Sequence, residues 1–177
     1  FKIGPALAAG CSLIIKPSSL SPLSAYLLGE ILNDINFPAG VVNILCGPTS
    51  EVASVLTKSK IPAVLTMIGS TNTGKRVIAD STTSIKKLGM ELGGNAPFIV
   101  YEDADFNKAL DLAIGLKFEN TGQICVAANR FFIEERLYDK FISEYIKRAK
   151  SLKLGFGIDK AVDMGPMVDK KSRDRMF

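Results

Sequence analysis

Residues 12–46, SLIIKPSSLSPLSAYLLGEILNDINFPAGVVNILC, decide the fold, because they read as strand, helix and strand in succession. Residues 12–15 (SLII) form a short apolar run with a β-branched pair, suited to a buried strand. Ser21 followed by Pro22 is a helix-start signal, with Ser21 as N-cap and Pro22 at the first helical position. Leu27, Leu28, Ile31, Leu32 and Ile35 then recur at helical spacing and make one apolar face. Residues 37–40 (FPAG) break the helix, and residues 41–46 (VVNILC) supply the second strand.

The same alternation continues outward. Residues 50–58 read as helix, residues 63–68 (AVLTMI) as a third strand, and residues 72–82 (NTGKRVIADST) as another helix. This order predicts an α/β fold, a parallel sheet with flanking helices of Rossmann-like kind. Ligands of such sheets lie beyond the carboxyl ends of the strands, which singles out the loops 16–22 (KPSSLSP) and 69–74 (GSTNTG).

From Lys86 the pattern changes. Residues 86–101 (KKLGMELGGNAPFIVY) read as strand, glycine turn and strand. Residues 103–118 read as a capped helix with Phe106, Ala109, Leu110 and Ala113 on one side, and residues 130–135 as a strand. Residues 136–152 make an amphipathic helix whose buried face is Leu137, Phe141, Tyr145, Ala149 and Leu152. Residues 155–169 are a Gly- and Asp-rich loop, and the basic cluster after them reads as a solvated helix face. A junction near residues 93–95 divides the chain into a first domain portion, 1–93, and a second α/β portion, 94–177.

Composition narrows the function. With 47% hydrophobic and 23% charged residues among 177, the chain can bury a core and is not a disordered segment. Its net charge of +4 arises from 22 basic and 18 acidic residues that are interspersed, so the basic stripe of a nucleic-acid binder is missing. Three scattered cysteines, no histidine and no CxxC exclude a disulfide framework and a zinc site, and indicate a reducing, cytoplasmic location. No apolar run reaches the ~18 residues of a membrane helix. The sequence opens on Phe1 in what reads as mid-domain sequence, so absent flanks are expected.

Three places carry candidate chemistry. Gly69 to Lys75 has P-loop spacing, but Arg76 stands where Ser or Thr would hold Mg²⁺. Gly69 and Ser70 at a helix start can still cradle a phosphate without hydrolysing it, or form a plain turn. Lys16, fixed by Pro17 after the first strand, suits a ribose or phosphate contact, or is an ordinary surface lysine. In residues 118–125 (FENTGQIC), Cys125 is either a nucleophile or a small apolar residue at the start of the next helix. Without histidine, the base would be Glu91, at a strand end beside Gly93 and Gly94, which let a backbone or cofactor come close.

At these residues the sequence resembles the aldehyde dehydrogenase superfamily. KIGPALAAGCSLIIKPSS, FPAGVVNIL, GSTNTGK, MELGGNAPFIV, FENTGQICVAANR and GPMVD carry the likeness nearly end to end, most like the succinate-semialdehyde branch. The resemblance implies that Cys125 attacks an aldehyde, that hydride goes to NAD(P)⁺, and that Glu91 activates water to hydrolyse the thioester. It implies further that the Cys125 N–H is half of an oxyanion hole, that Lys16 meets the adenine ribose, and that Gly69, Ser70 and Gly93 line the cofactor. Ser19 stands where many NAD-preferring relatives carry glutamate, which favours NADP over NAD. Glu119 replaces the arginine that binds a distal carboxylate in the semialdehyde branch, and Ala127 replaces its occasional second cysteine. MIGST in place of FTGST alters packing beside the pyrophosphate turn through Met67 and Ile68. The resemblance implies a small-molecule aldehyde as partner, no nucleic acid or membrane, and a homo-oligomer for the full-length protein. The family's oxyanion-hole asparagine and nicotinamide-ribose glutamate fall outside these residues, so the chain is expected to be inactive alone. A nucleotide-binding relative without catalysis is the alternative, and a P-loop hydrolase a more remote one.

Overall fold

The computed structural model describes residues 1–176, and contains seven α-helices and six strands among them. The elements in order are α1 (Ile3–Ala8), β1 (Leu13–Ile15), α2 (Leu23–Asp34), β2 (Val42–Ile44), α3 (Ser54–Lys58), β3 (Val64–Ile68), α4 (Thr71–Asp80) and β4 (Lys87–Glu91). There follow β5 (Ala96–Val100), α5 (Phe106–Phe118), β6 (Ala128–Ile133), α6 (Glu135–Ser151) and α7 (Lys170–Asp174). The chain forms two compact units, Phe1–Glu91 and Leu92–Phe177.

Every strand pair is parallel, as the strand–helix alternation requires: β1 with β2, β3 with β4, and β5 with β6. The first unit does not hold one continuous sheet, however, but two separate pairs. β1 and β2 are three residues each, and Pro17 and Pro48 follow closely after them, removing N–H donors that a longer ladder would need. Helix α2 starts later than the Ser21–Pro22 signal predicts. Pro22 is its N-cap, with no side-chain cap, and the Pro22 carbonyl accepts from Ala25 and Tyr26 N–H. Proline's fixed φ serves equally well just outside the first turn. The face of α2 predicted from periodicity is largely open, with Leu27, Ile31 and Ile35 exposed. Residues 50–58 divide into a π-helical turn, Thr49–Ala53, and α3.

The hydrophobic core lies in the second unit. Val100, Leu110, Ala113 and Phe141 are buried, and Phe98, Phe106, Ala109, Phe131, Leu137 and Tyr145 pack around them. These are the predicted faces of α5 and α6. Edge-to-face packing of Phe106 on Phe141, centroids 6.2 Å apart, locks the two helices together. Asp105 caps α5 by accepting from the Lys108 N–H at 3.1 Å. Asp169 caps α7 in the same way, through the Ser172 N–H at 2.6 Å.

Candidate active site

Cys125 sits between α5 and β6, on a loop held by its own side chains. Asn120, Thr121 and Gly122 are consecutive left-handed residues, with φ of 49°, 57° and 72°. Asparagine and glycine tolerate this region, but a β-branched threonine does not readily enter it. The Asn120 carbonyl compensates by accepting from the Thr121 hydroxyl at 2.6 Å, the Gln123 side-chain amide at 3.1 Å and the Gln123 N–H at 3.1 Å. Gly122 is obligatory for a second reason, because a Cβ there would lie 2.9 Å from the Lys117 carbonyl oxygen.

The loop delivers Cys125 to a turn and then to a strand, not to a helix N-terminus. Ala127 and Ala128 are buried, and β6 begins at Ala128. No helix starts at Cys125, so no helix dipole acts on the thiol there. Cys125 itself is exposed, which removes the reading of a buried small hydrophobe. Its carbonyl lies against Gly94, where a Cβ would come within 3.1 Å. Arg130 Nε donates to the Asn95 carbonyl at 3.0 Å and ties the glycine turn to β6. Gly93, by contrast, faces open space.

Glu91 ends β4, opposite Ile68 in the β3–β4 register. Its carbonyl accepts from the Gly69 N–H at 3.0 Å, so the candidate base and the glycine turn share one strand end. Its carboxylate is half-exposed and lies 3.9 Å from Lys2 Nζ, a contact that no sequence signal marked. At that exposure the pair orients the side chain more than it stabilises the fold.

Gly69 and Ser70 lead into α4. Ser70 is the N-cap, accepting from the Thr73 N–H at 3.2 Å and sharing a hydrogen bond of 2.9 Å with the Thr73 hydroxyl. With the Thr73 N–H taken by Ser70, the Thr71 and Asn72 N–H groups that open α4 have no intrahelical acceptor, an arrangement suited to an anion. Gly69 is exposed, and the place a side chain would take there is filled by Met67 Cε, 2.7 Å from a built Cβ, so an anion at this turn would be met by the N–H groups that open α4. Lys16 follows β1 and donates to the Pro17 carbonyl at 3.0 Å, leaving two further ammonium donors. The Ser19 hydroxyl donates to the Gly47 carbonyl at 3.0 Å, linking the loops after β1 and β2. Glu119 lines a cleft of about 270 Å³ with Ile114, Phe118, Leu152, Asp163 and Met164, and Cys125 is not among its walls. Cys46 is half-buried, and its thiol beside the Tyr26 hydroxyl raises the pKa of that hydroxyl. No helix among the described residues is long and apolar enough to cross a membrane.

Similarity to known proteins is extensive over this chain. It is 42% identical to the NADP(+) succinate-semialdehyde dehydrogenase GabD of Escherichia coli K12 over 97% of its length, and covers 36% of that protein. It is also 42% identical to a glutarate-semialdehyde dehydrogenase of Pseudomonas putida, again over 97% of the chain and 36% of the relative. Betaine aldehyde dehydrogenase of Staphylococcus aureus, solved in complex with NAD⁺, superimposes with a TM-score of 0.93 at 36% identity, covering 99% of this chain and 35% of that one. The chain thus spans about a third of the length of these relatives. Residues 1–177 match the aldehyde dehydrogenase family throughout, and the chain belongs to that family.

Proposed function

We propose that these residues serve the NAD(P)-dependent oxidation of an aldehyde to a carboxylic acid, with Cys125 as nucleophile and Glu91 as base. The observation that carries the reading is the exposed Cys125 on a self-braced loop, its carbonyl against Gly94. In this reading the Cys125 thiolate adds to the aldehyde carbon to give a thiohemiacetal, and the Cys125 N–H donates to the new oxyanion. When bound at Lys16, Ser19, Gly69, Ser70 and Gly93, NAD(P)⁺ supplies the hydride acceptor. The oxidised adduct is a thioester on Cys125. Glu91 then takes a proton from water, the hydroxide attacks the thioester, and the acid leaves as the thiol is restored.

Residues 1–93 act in this account as the cofactor portion and residues 94–177 as the catalytic portion. Ser19 leaves room for a 2′-phosphate that the free donors of Lys16 can meet, which favours NADP⁺. Glu119 carries a charge that opposes a dicarboxylic semialdehyde, so the substrate is an aldehyde without a distal carboxylate, unlike those named for the two bacterial relatives.

The test is to graft residues 1–177 into the E. coli enzyme in place of its matching part and assay aldehyde oxidation. The graft is expected to turn over, to lose activity with Cys125→Ser, to prefer NADP⁺ in kcat/KM, and to favour a neutral aldehyde over succinate semialdehyde. Full activity in Cys125→Ser would refute the nucleophile; fast, tight turnover of succinate semialdehyde would refute the role given to Glu119.

A further inference from the structure

Met67 lies on β3, and Gly69 follows directly after the strand's last residue, Ile68. The Met67 terminal methyl occupies the place a Gly69 side chain would take: a Cβ built on Gly69 would lie 2.7 Å from Met67 Cε. The thioether therefore covers the backbone from which the turn into α4 departs. Met67 is half-buried, within reach of small solutes, and Met90 stands beside it in the β3–β4 register. Gly69 is also tied to the end of β4 by its N–H bond to the Glu91 carbonyl.

We propose that Met67 is a positioning residue that seats the turn at Gly69 and Ser70, and that its thioether makes the turn sensitive to peroxide. The significance for cofactor binding rests on the reading of that turn as the pyrophosphate cradle. A peroxide transfers one oxygen to the Met67 sulfur; the O–O bond breaks, the sulfur is oxidised to the sulfoxide, and the peroxide is reduced to water. The new S=O oxygen is polar and is carried on the sulfur to which the methyl covering Gly69 is bonded. The side chain then seeks water, and the cover on the turn is lost.

The experiment uses the 177-residue chain with Cys11, Cys46 and Cys125 replaced by Ser, so that thiol oxidation plays no part. The chain is treated with hydrogen peroxide, oxidation is located by peptide mass, and amide hydrogen exchange is followed at residues 69–74 alongside NADP⁺ binding. Oxidation at Met67 is expected to speed exchange at residues 69–74 about tenfold and to weaken NADP⁺ by a similar factor. Methionine sulfoxide reductase should restore both. Met67→Leu should keep the turn protected and abolish the response, while Met90→Leu should leave the response intact. Unchanged exchange with Met67 fully oxidised would overturn the proposal, as would resistance of Met67 to peroxide or an undiminished response in Met67→Leu. If exchange responds while the untreated chain binds no NADP⁺, Met67 still seats the turn and it is the cofactor reading of Gly69 and Ser70 that fails.

Discussion

Gly122→Ala puts the loop geometry before Cys125 to a quantitative test. Alanine at φ +72° costs about 1–2 kcal/mol for the left-handed conformation alone. Its Cβ would also stand 2.9 Å from the Lys117 carbonyl oxygen, a backbone atom fixed in the last turn of α5. That contact cannot be relieved by a side-chain rotation, and forcing it costs about 1–3 kcal/mol more. Loss of glycine's freedom in the unfolded chain offsets about 0.4–1 kcal/mol. The net expectation is a loss of about 2–3 kcal/mol, or a fall of about 2 M in the urea midpoint for a unit of this size. Gly115→Ala is the matched control: Gly115 lies inside α5 with nothing within 4 Å, so alanine should be neutral or stabilise by about 0.5–1 kcal/mol. Urea unfolding by circular dichroism reports the stabilities. Iodoacetamide labelling with peptide mass readout reports the loop, with exposed Cys11 as internal reference. Gly122→Ala should shift the midpoint and the Cys125 labelling rate while leaving that of Cys11 unchanged. If Gly122→Ala were as stable as Gly115→Ala, with Cys125 labelled at the original rate, the three-residue left-handed loop would be wrong.

Leu110 of α5 is fully buried in the core with Val100 of β5 and Phe141 of α6, and Leu110→Ala should cost about 2–5 kcal/mol in the same urea assay. Hydrogen bonds from the Ser172 hydroxyl and N–H hold the Asp169 carboxyl below its ordinary range. Its folded pKa is thus depressed, so the cap of α7 is intact above the ordinary carboxylate range and is lost as pH falls through the folded value, visible as a shift of the Ser172 amide signal by NMR. Burial raises the Tyr145 pKa above 10.0, so its contribution is complete below that value and is lost as pH rises through the folded one. Tyr145→Phe should flatten that alkaline limb in pH-dependent urea midpoints.

The order of elements and the α5–α6 core were legible because their signals are local. Leu110, Ala113 and Phe141 repeat at helical spacing, and Asp105 stands one residue before α5 as a cap. What the residues after Cys125 do was not legible, because Val126, Ala127 and Ala128 suit a helix as well as a strand, and pairing of Ala128 with Ala96 across the sheet decides it. The left-handed Thr121 carries no sequence signal; only Asn120 and Gly122 on either side hint at it. Periodicity predicted an apolar face on α2 but says nothing of what packs on it, and Leu27 and Ile31 are exposed. Glu91, Gly69 and Ser70 were singled out as candidates through their motifs, whereas the hydrogen bond joining Glu91 to Gly69 depends on a strand register that spacing alone does not specify.

In the proposed reaction Cys125 carries the acyl group and Glu91 releases it. In the grafted enzyme with Glu91→Gln, supplied with aldehyde and NADP⁺, one burst of reduced cofactor per site and an acyl mass on the Cys125 peptide are expected. An acyl mass on another residue, or steady turnover of Glu91→Gln at the unsubstituted rate, would contradict it.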